Sequence, residues 1–192
     1  MEKTELHVDA TCFLRKTYKI PSDVDKLSQL AYKCDMNTII LYATKYGATR
    51  QIAERLAEKM GGAIMHDLRQ GDAPSLDSFE FVILGSATYA GSIRKEAKTY
   101  LSRNACSLLE KKLGLFLCGL EEEKAKENIK TNFPQELLQA ARAVSLLGGV
   151  FDPNKASAPE RFMMKLAKKH EGYWNTIDDS RIESFVKNMK AV

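Results

Sequence analysis

The stretch TIILYATKYGATRQIAERLAEKMGG, residues 38–62, contains the strand and the helix from which the rest of the fold can be inferred. Residues 38–43 are almost entirely apolar and rich in β-branched side chains, which is typical of a strand covered on both faces. Residues 48–60 place apolar side chains on one helical face, and the Gly61-Gly62 pair tolerates the left-handed conformation that ends a helix. We therefore predict a central strand and an amphipathic helix that follows it.

Strand and helix patterns alternate along the rest of the chain. Further strands are predicted at 63–67, 81–85, 113–118 and about 143–150, and helices at 93–103, 121–130, 134–141 and 179–190. This alternation predicts an α/β fold, a doubly wound sheet of five parallel strands with helices on both faces. Ligands of such folds bind beyond the carboxyl ends of the strands, so we look for the site in the loops after the first, third and fourth strands.

The chain divides into an N-terminal extension, residues 1–35, and a domain, residues 36–192. The extension carries six basic and six acidic residues, and its one readable element is a helix start at Ser22 with Asp25. Whether Met36 is an alternative start of the protein or the extension is an accessory arm is left open by the sequence. A total of 192 residues with 44% apolar side chains predicts one compact core and excludes collagen-like, coiled-coil and wholly disordered chains.

Composition also bounds compartment and chemistry. No apolar run approaches the roughly 18 residues of a membrane span and residues 1–35 lack a signal-peptide core, so we expect a cytoplasmic protein. The four cysteines lie far from one another and from the three histidines, so we expect neither a metal site nor disulfide chemistry. We also expect no nucleic acid among the partners.

The loop Thr44-Lys45-Tyr46-Gly47-Ala48-Thr49 has the chemistry of a phosphate site. Gly47 allows close backbone approach, Thr44 and Thr49 offer hydroxyls, and the helix start supplies unpaired N–H groups whose dipole favours an anion. A plain strand-to-helix turn with threonine caps explains the same residues, so this loop alone leaves both interpretations open. The glycine spacings of dinucleotide-binding loops and of nucleotide-binding P-loops are absent from the sequence.

The segment Ser86-Ala87-Thr88-Tyr89-Ala90-Gly91 follows the third predicted strand. Small residues flank Tyr89, so backbone groups could reach the polar edge of a planar ligand stacked on the tyrosine ring. Such stacking contributes about 0.5–1.5 kcal/mol beyond the buried area. A tyrosine that merely covers the end of the sheet is the alternative interpretation.

Together, TKYGAT after the first strand and GSATYAG after the third resemble the flavodoxin family, and the resemblance covers residues 36–192. It implies strand order 2-1-3-4-5 and FMN as cofactor. By this resemblance, residues 44–49 hold the phosphate, Ser86 to Gly91 flank the isoalloxazine with Tyr89 stacked on it, and Cys118, Gly119 and Leu120 form a third loop beside the ring. Tyr46 and Ala48 stand where the family usually has Ser or Thr and often Asn, and we expect the charge of Lys45 to compensate.

The C-terminal third resembles a narrower group. GVFDP at 149–153 and ERFMMKL at 160–166 are similar to the menaquinone-dependent protoporphyrinogen oxidase branch of that family. The resemblance implies protoporphyrinogen as electron donor and menaquinone as electron acceptor.

The positive charge is concentrated in the same region. Residues 153–170 contain five basic residues and one acid, which accounts for the whole net charge of +4. Ser157 and Glu160 form a capping box for a helix with one basic and one apolar arc, so residues 155–170 could contact an anionic membrane at its inner face, or the propionates of a porphyrin. A surface helix with a packed apolar arc and a solvated basic arc is the alternative.

The favoured hypothesis is an FMN oxidoreductase that passes electrons from an organic donor to a quinone. The cofactor would supply the chemistry, so no side chain is assigned as a catalytic acid, base or nucleophile. A non-enzymatic electron carrier that docks to a redox-partner protein is the second hypothesis. A binding module without flavin is the third, because two side-chain phosphate donors are absent.

Overall fold

The computed structural model describes residues 37–166 and 172–191. The predicted N-terminal extension and the basic residues Lys168 and Lys169 lie outside the described residues. Within them, five parallel strands form one sheet: β1 (Thr38–Ala43), β2 (Ile64–Asp67), β3 (Phe81–Tyr89), β5 (Lys112–Cys118) and β6 (Ala143–Leu146). Their order in the sheet is β2-β1-β3-β5-β6. A short strand, β4 (Ser92–Ile93), pairs antiparallel with the end of β3. Because β4 lies outside the parallel set, β5 and β6 are the fourth and fifth parallel strands, and the order confirms the predicted 2-1-3-4-5.

Helices cover both faces of this sheet. The described helices are α1 (Ala48–Met60), α2 (Lys95–Leu109), α3 (Ala125–Asn132), α4 (Gln135–Ala140), α5 (Ala158–Leu166) and α6 (Asp179–Lys190). One core cluster joins the sheet to α1 and α6 through residues such as Ile52 and Phe185, and the other joins it to α2 and α4 through residues such as Leu101 and Leu137. All six residues of β1 are buried, as expected of a strand covered on both faces.

The pairing of β3 with β5 shows why the centre of the sheet needs a glycine. Gly85 lies opposite Phe116, and a Cβ at residue 85 would come within 2.0 Å of the Phe116 ring. That ring meets Phe185 of α6 edge to face, with 6.4 Å between ring centroids. The missing side chain therefore lets an aromatic ring lie across the sheet and pack against α6.

Two strand predictions need correction. β3 does not end at Gly85 but runs to Tyr89, because Thr88 and Tyr89 pair with Ile93 and Ser92 of β4. The predicted strand at 143–150 is divided, because the chain turns at Gly148 with φ 88°. Its last part is a separate strand, β7 (Val150–Phe151), that pairs antiparallel with β8 (Trp174–Asn175).

Helix boundaries differ less. The helix predicted at 93–103 begins at Lys95, because residues 92–93 are in β4, and it continues to Leu109. The helix predicted at 121–130 begins at Ala125, and the last helix has the predicted bounds 179–190. Among the described helices, none is both long and apolar enough to cross a membrane.

Candidate functional site

A cavity of about 380 Å³ lies at the carboxyl ends of β1, β3 and β5. This volume is within the usual range of small-molecule sites, about 300–1,000 Å³. Most residues predicted for the site line it: Thr44, Tyr46, Ala48, Ala87, Thr88, Tyr89, Ala90, Gly91, Cys118, Gly119 and Leu120. The other four predicted residues, Lys45, Gly47, Thr49 and Ser86, are neighbours of these in the chain and do not belong to the lining.

The loop between β1 and α1 holds itself in place through its own backbone. The Gly47 N–H donates to Thr44 Oγ1 at 3.0 Å, and Gly47 has φ 94°, a conformation that favours glycine. No side chain caps α1, and its first turn contains no acid. The N–H groups at this helix start are therefore available to an anion, which the helix dipole also favours.

Thr49, in the first turn of α1, is fully buried, and among the described residues its hydroxyl has no oxygen or nitrogen partner, although the weakly hydrogen-bonding Cys118 thiol lies near it. Leaving a buried hydroxyl unpaired costs about 1–3 kcal/mol. A buried hydroxyl with only this weak neighbour, at a helix start beside the cavity, is compatible with a ligand that carries an oxyanion.

Cys118, at the end of β5, has no role as a reactive thiol. Burial raises the pKa of its thiol to about 12, and the nearby Thr49 hydroxyl offsets only part of that rise. The thiol is therefore protonated at neutral pH, and thiolate chemistry requires the deprotonated form.

Aromatic rings and a cation meet at the β1–α1 loop. Tyr46 and Tyr89 lie edge to face, with centroids 6.4 Å apart and an interplanar angle of 69°. The ammonium group of Lys45 lies 4.7 Å from the Tyr46 ring centroid and 5.8 Å from that of Tyr89. One part of the cavity therefore offers aromatic surface, and a positive charge is held against it.

The turn between β3 and β4 fixes Tyr89. Ala90 and Gly91 both have positive φ, 48° and 77°, which a tight two-residue hairpin requires. From α3, Asn132 donates through Nδ2 to the Gly91 carbonyl at 2.7 Å and accepts the Ile93 N–H through Oδ1 at 2.8 Å. This clamp, together with the strained Ala90, fixes the turn that follows Tyr89.

Ser86 belongs to the same support. Its buried hydroxyl accepts the Arg94 N–H at 3.1 Å and donates to the Ala87 carbonyl at 3.1 Å. These bonds hold the segment that leads from β4 into α2, so the hydroxyl is engaged within the protein.

Residues that the sequence analysis did not assign to the site complete the lining. They are Glu121, Asn128, Gly149, Val150, Phe151, Asp152, Ala156 and Pro159. Those at 149–152 follow the end of β6, so the rule that ligands bind beyond strand ends could have indicated them. Asn128 lies in the middle of α3, where no sequence signal marks it.

Close backbone contacts bring the 149–159 segment to the cavity. The Gly119 N–H donates to the Gly148 carbonyl at 3.0 Å, and Gly149 exchanges hydrogen bonds with Thr176 through its N–H, at 3.0 Å, and its carbonyl, at 2.8 Å. A Cβ at Gly148 would lie 1.9 Å from the Thr176 carbonyl oxygen. Only glycine at residue 148 therefore allows the backbone after β6 to lie this close to Thr176.

Helix α5 forms in the predicted segment, but its basic and apolar side chains are not all placed as the sequence predicts. Arg161 does not present its guanidinium only to solvent, because Nη1 donates to the Ala156 carbonyl at 3.0 Å and the Pro153 carbonyl at 3.3 Å. Phe162 is one of the apolar residues of this helix, yet it is 65% exposed, and Lys165 is also exposed. At Phe162 the apolar arc therefore does not pack on the domain.

Comparison with known proteins identifies a family. A family model described as "Flavodoxin domain" matches residues 39–177, which is most of the chain. Among curated proteins, none matches the sequence significantly.

Solved structures agree on the fold. A short-chain flavodoxin associated with a bacterial microcompartment has a TM-score of 0.53 and 15% identity, over 80% of this chain and 97% of that one. Two-electron reduced flavodoxin from Megasphaera elsdenii has a TM-score of 0.52 and 14% identity, over 80% of this chain and 99% of that one. A flavodiiron core from Synechocystis has a TM-score of 0.52 and 17% identity, over 87% of this chain but only 39% of its own length. At these identities the likeness shows the fold alone.

Proposed function

The chain belongs to the flavodoxin domain family, and on that premise we propose that the cavity at the ends of β1, β3 and β5 binds FMN. The observation that carries the proposal is the start of α1. It has no side-chain cap and no acid in its first turn, and it adjoins a cavity lined by Thr44, Ala48 and Tyr89. A phosphate that ends a planar aromatic ligand satisfies both parts of this arrangement.

In this proposal, the protein binds and orients the cofactor. The α1 backbone and the hydroxyls of Thr44 and Thr49 would hold the phosphate, with Lys45 as a nearby counter-charge. Tyr89, which precedes the turn that Asn132 holds, would offer its ring face to the isoalloxazine. When bound, FMN supplies the capacity to accept and release electrons.

We further propose that the electrons come from protoporphyrinogen and pass to a quinone such as menaquinone. The support is the ERFMMKL resemblance and the fact that residues 149–152, Ala156 and Pro159 line the same cavity. These residues would border a donor that lies beside the cofactor. Each pair of electrons and protons removed from the donor reduces one quinone to its quinol. An electron carrier that serves a redox-partner protein is the alternative use of the same cofactor.

A quinone acceptor is found in membranes, so we propose that α5 makes peripheral contact with an anionic membrane surface. Phe162 and Tyr173 are 65% and 64% exposed, and Lys165 is exposed beside Phe162. Exposed aromatic side chains with basic neighbours suit the interface, where each Lys or Arg contributes about 1 kcal/mol.

The first experiment is titration of the purified apoprotein with FMN, followed by quenching of flavin fluorescence. We expect saturable uptake, with FMN at least tenfold tighter than riboflavin because only FMN carries the phosphate. Lys45→Met should reduce that preference, whereas Lys126→Met on the exposed side of α3 should not. Absence of saturable uptake would refute the proposed function.

The second experiment separates the enzyme from the carrier. FMN-loaded protein is mixed anaerobically with protoporphyrinogen, with and without a menaquinone, and porphyrin fluorescence is recorded. Quinone-dependent porphyrin formation supports the oxidase. Its absence, with rapid electron exchange between the loaded protein and a redox-partner protein, supports the carrier.

The membrane contact has its own test. We expect the protein to sediment with vesicles that contain phosphatidylglycerol and not with pure phosphatidylcholine. Phe162→Ser should lower the bound fraction. Leu109→Ser, at a 44% exposed site on α2, should leave it unchanged. Equal sedimentation with both kinds of vesicle would reject the contact.

A further inference from the structure

Two asparagines on α3 differ in how their side chains are used. Asn128 and Asn132 are four residues apart, so they lie on one face of the helix, and each is 8% exposed. The Asn132 carboxamide is fully engaged: Oδ1 accepts from Ile93, and Nδ2 donates to the carbonyls of Gly91 and Asn128. Among residues 37–166 and 172–191, no group donates to or accepts from the Asn128 carboxamide.

Asn128 instead lines the cavity. Its Oδ1 would lie 3.5 Å from a Cβ at Gly91, so the amide is next to the β3–β4 turn that carries Tyr89. Burying an amide without hydrogen bonds is unfavourable, and buried polar groups normally have partners. An amide that has no partner among the described residues, is nine-tenths buried and faces a cavity therefore indicates a ligand group at that position.

We propose that Asn128 is a specificity-determining residue that pairs with the imide edge of the flavin ring, where an N–H lies beside a carbonyl. The inference rests on the proposed function, since it assumes that a flavin occupies the cavity. It assigns a direct ligand contact to a residue of α3, outside the three loops that follow the strands.

The chemistry of the amide selects this partner. An asparagine carboxamide presents one acceptor beside a two-hydrogen donor, so it pairs in two bonds with a group that also has a donor beside an acceptor. A quinone offers only acceptors, and a porphyrinogen offers donors on its pyrroles and acceptors on its propionates, but no donor directly beside an acceptor in one planar group. With either of those, one half of the Asn128 amide would be left without a bond.

The test compares binding of FMN and of N3-methyl-FMN, which lacks the imide hydrogen, to the full-length protein by fluorescence titration. The wild type should bind FMN about tenfold or more tightly than the methylated analogue, because the analogue leaves a buried acceptor unpaired. Asn128→Leu, which is close in volume but cannot form hydrogen bonds, should bind FMN about tenfold more weakly and lose the preference. Asn128→Ala serves if the leucine variant does not fold.

Two controls define the comparison. Lys126→Ala, on the exposed side of α3, should retain the wild-type preference. Thermal unfolding of the apoprotein should be unaffected or raised by Asn128→Leu, because the folded protein loses no hydrogen bond. A purely structural role would instead lower the unfolding temperature.

The outcomes are separable. A preference for FMN that Asn128→Leu abolishes supports the proposal. A preference that survives the substitution, or equal weakening of both ligands, overturns it, and so does a wild type that binds both flavins equally well. A wild type that takes up no flavin refutes the proposed function itself and is recognised before any variant is made.

Discussion

Two glycines beside the cavity have nearly the same backbone conformation but different surroundings. Gly47, at the start of α1, has φ 94°, and a Cβ there would have no atom within 4 Å. Gly148, after β6, has φ 88°, and a Cβ there would meet the Thr176 carbonyl oxygen. The turn at Gly47 therefore needs only a glycine backbone conformation, whereas the turn at Gly148 also needs space for a segment that is distant in sequence.

The largest expected effect tests this difference directly. Gly47→Ala adds only the cost of an alanine at positive φ, about 1–2 kcal/mol. Gly148→Ala adds the same cost and forces a backbone carbonyl to move, which typically adds about 1–3 kcal/mol. We expect Gly148→Ala to lower the free energy of unfolding by about 3 kcal/mol or more in urea denaturation. Equal losses for the two variants would show that the contact at Gly148 is not tight.

The two asparagines of α3 give the next effect. Asn132→Ala leaves the Gly91 carbonyl and the Ile93 N–H without their partner, so we expect a loss of about 2 kcal/mol in the free energy of unfolding of the apoprotein. Asn128→Ala breaks no hydrogen bond of its side chain and should cost less than 1 kcal/mol in the same assay. Similar losses for the two variants would show that the hydrogen bonds of Asn132 to Gly91 and Ile93 do not stabilise the β3–β4 turn.

Cys118 is the last residue of β5, and its thiol lies next to Thr49 in the first turn of α1. Burial raises its thiol pKa from 9.0 to about 12, so between these values the unfolded chain releases a proton that the folded chain keeps. The contribution of the protonated Cys118 thiol to the free energy of unfolding is therefore fully present below pH 9. It falls by about 1.4 kcal/mol per pH unit as the pH rises from 9 toward 12. Urea unfolding at pH 8, 9 and 10 should show a steeper decline for the wild type than for Cys118→Ala. Parallel curves would contradict the raised pKa.

The smallest effect compares the two threonines of the β1–α1 loop. Thr44→Val removes the acceptor of the Gly47 N–H and should destabilise the apoprotein by about 1 kcal/mol. Thr49→Val removes a buried hydroxyl that has no oxygen or nitrogen partner among the described residues and only the weakly bonding Cys118 thiol near it, so it should stabilise the apoprotein by about 1 kcal/mol. Thermal unfolding of both variants measures the sign, and a loss in Thr49→Val would mean that its hydroxyl has a partner.

Sequence reasoning succeeded where a feature depends on neighbouring residues. The apolar run at 38–43 predicted β1, and Gly61-Gly62 predicted the end of α1, because strand burial and helix capping leave local patterns. It was wrong about the end of β3 at Gly85. The extension to Tyr89 depends on pairing with β4, which small residues do not signal.

The sequence by itself determined the strand order, through its alternation of patterns and its resemblance, and it predicted site residues in the loop at 44–49 and at Tyr89, of which Thr44, Tyr46, Ala48 and Tyr89 line the cavity. Only the tertiary structure brought Asn128 and residues 149–159 to the cavity and distinguished the satisfied Asn132 from the unsatisfied Asn128. The physical reason is range. Helix starts and buried strands are fixed by residues a few positions apart, whereas the partner of a buried amide is decided by which distant backbone packs against it.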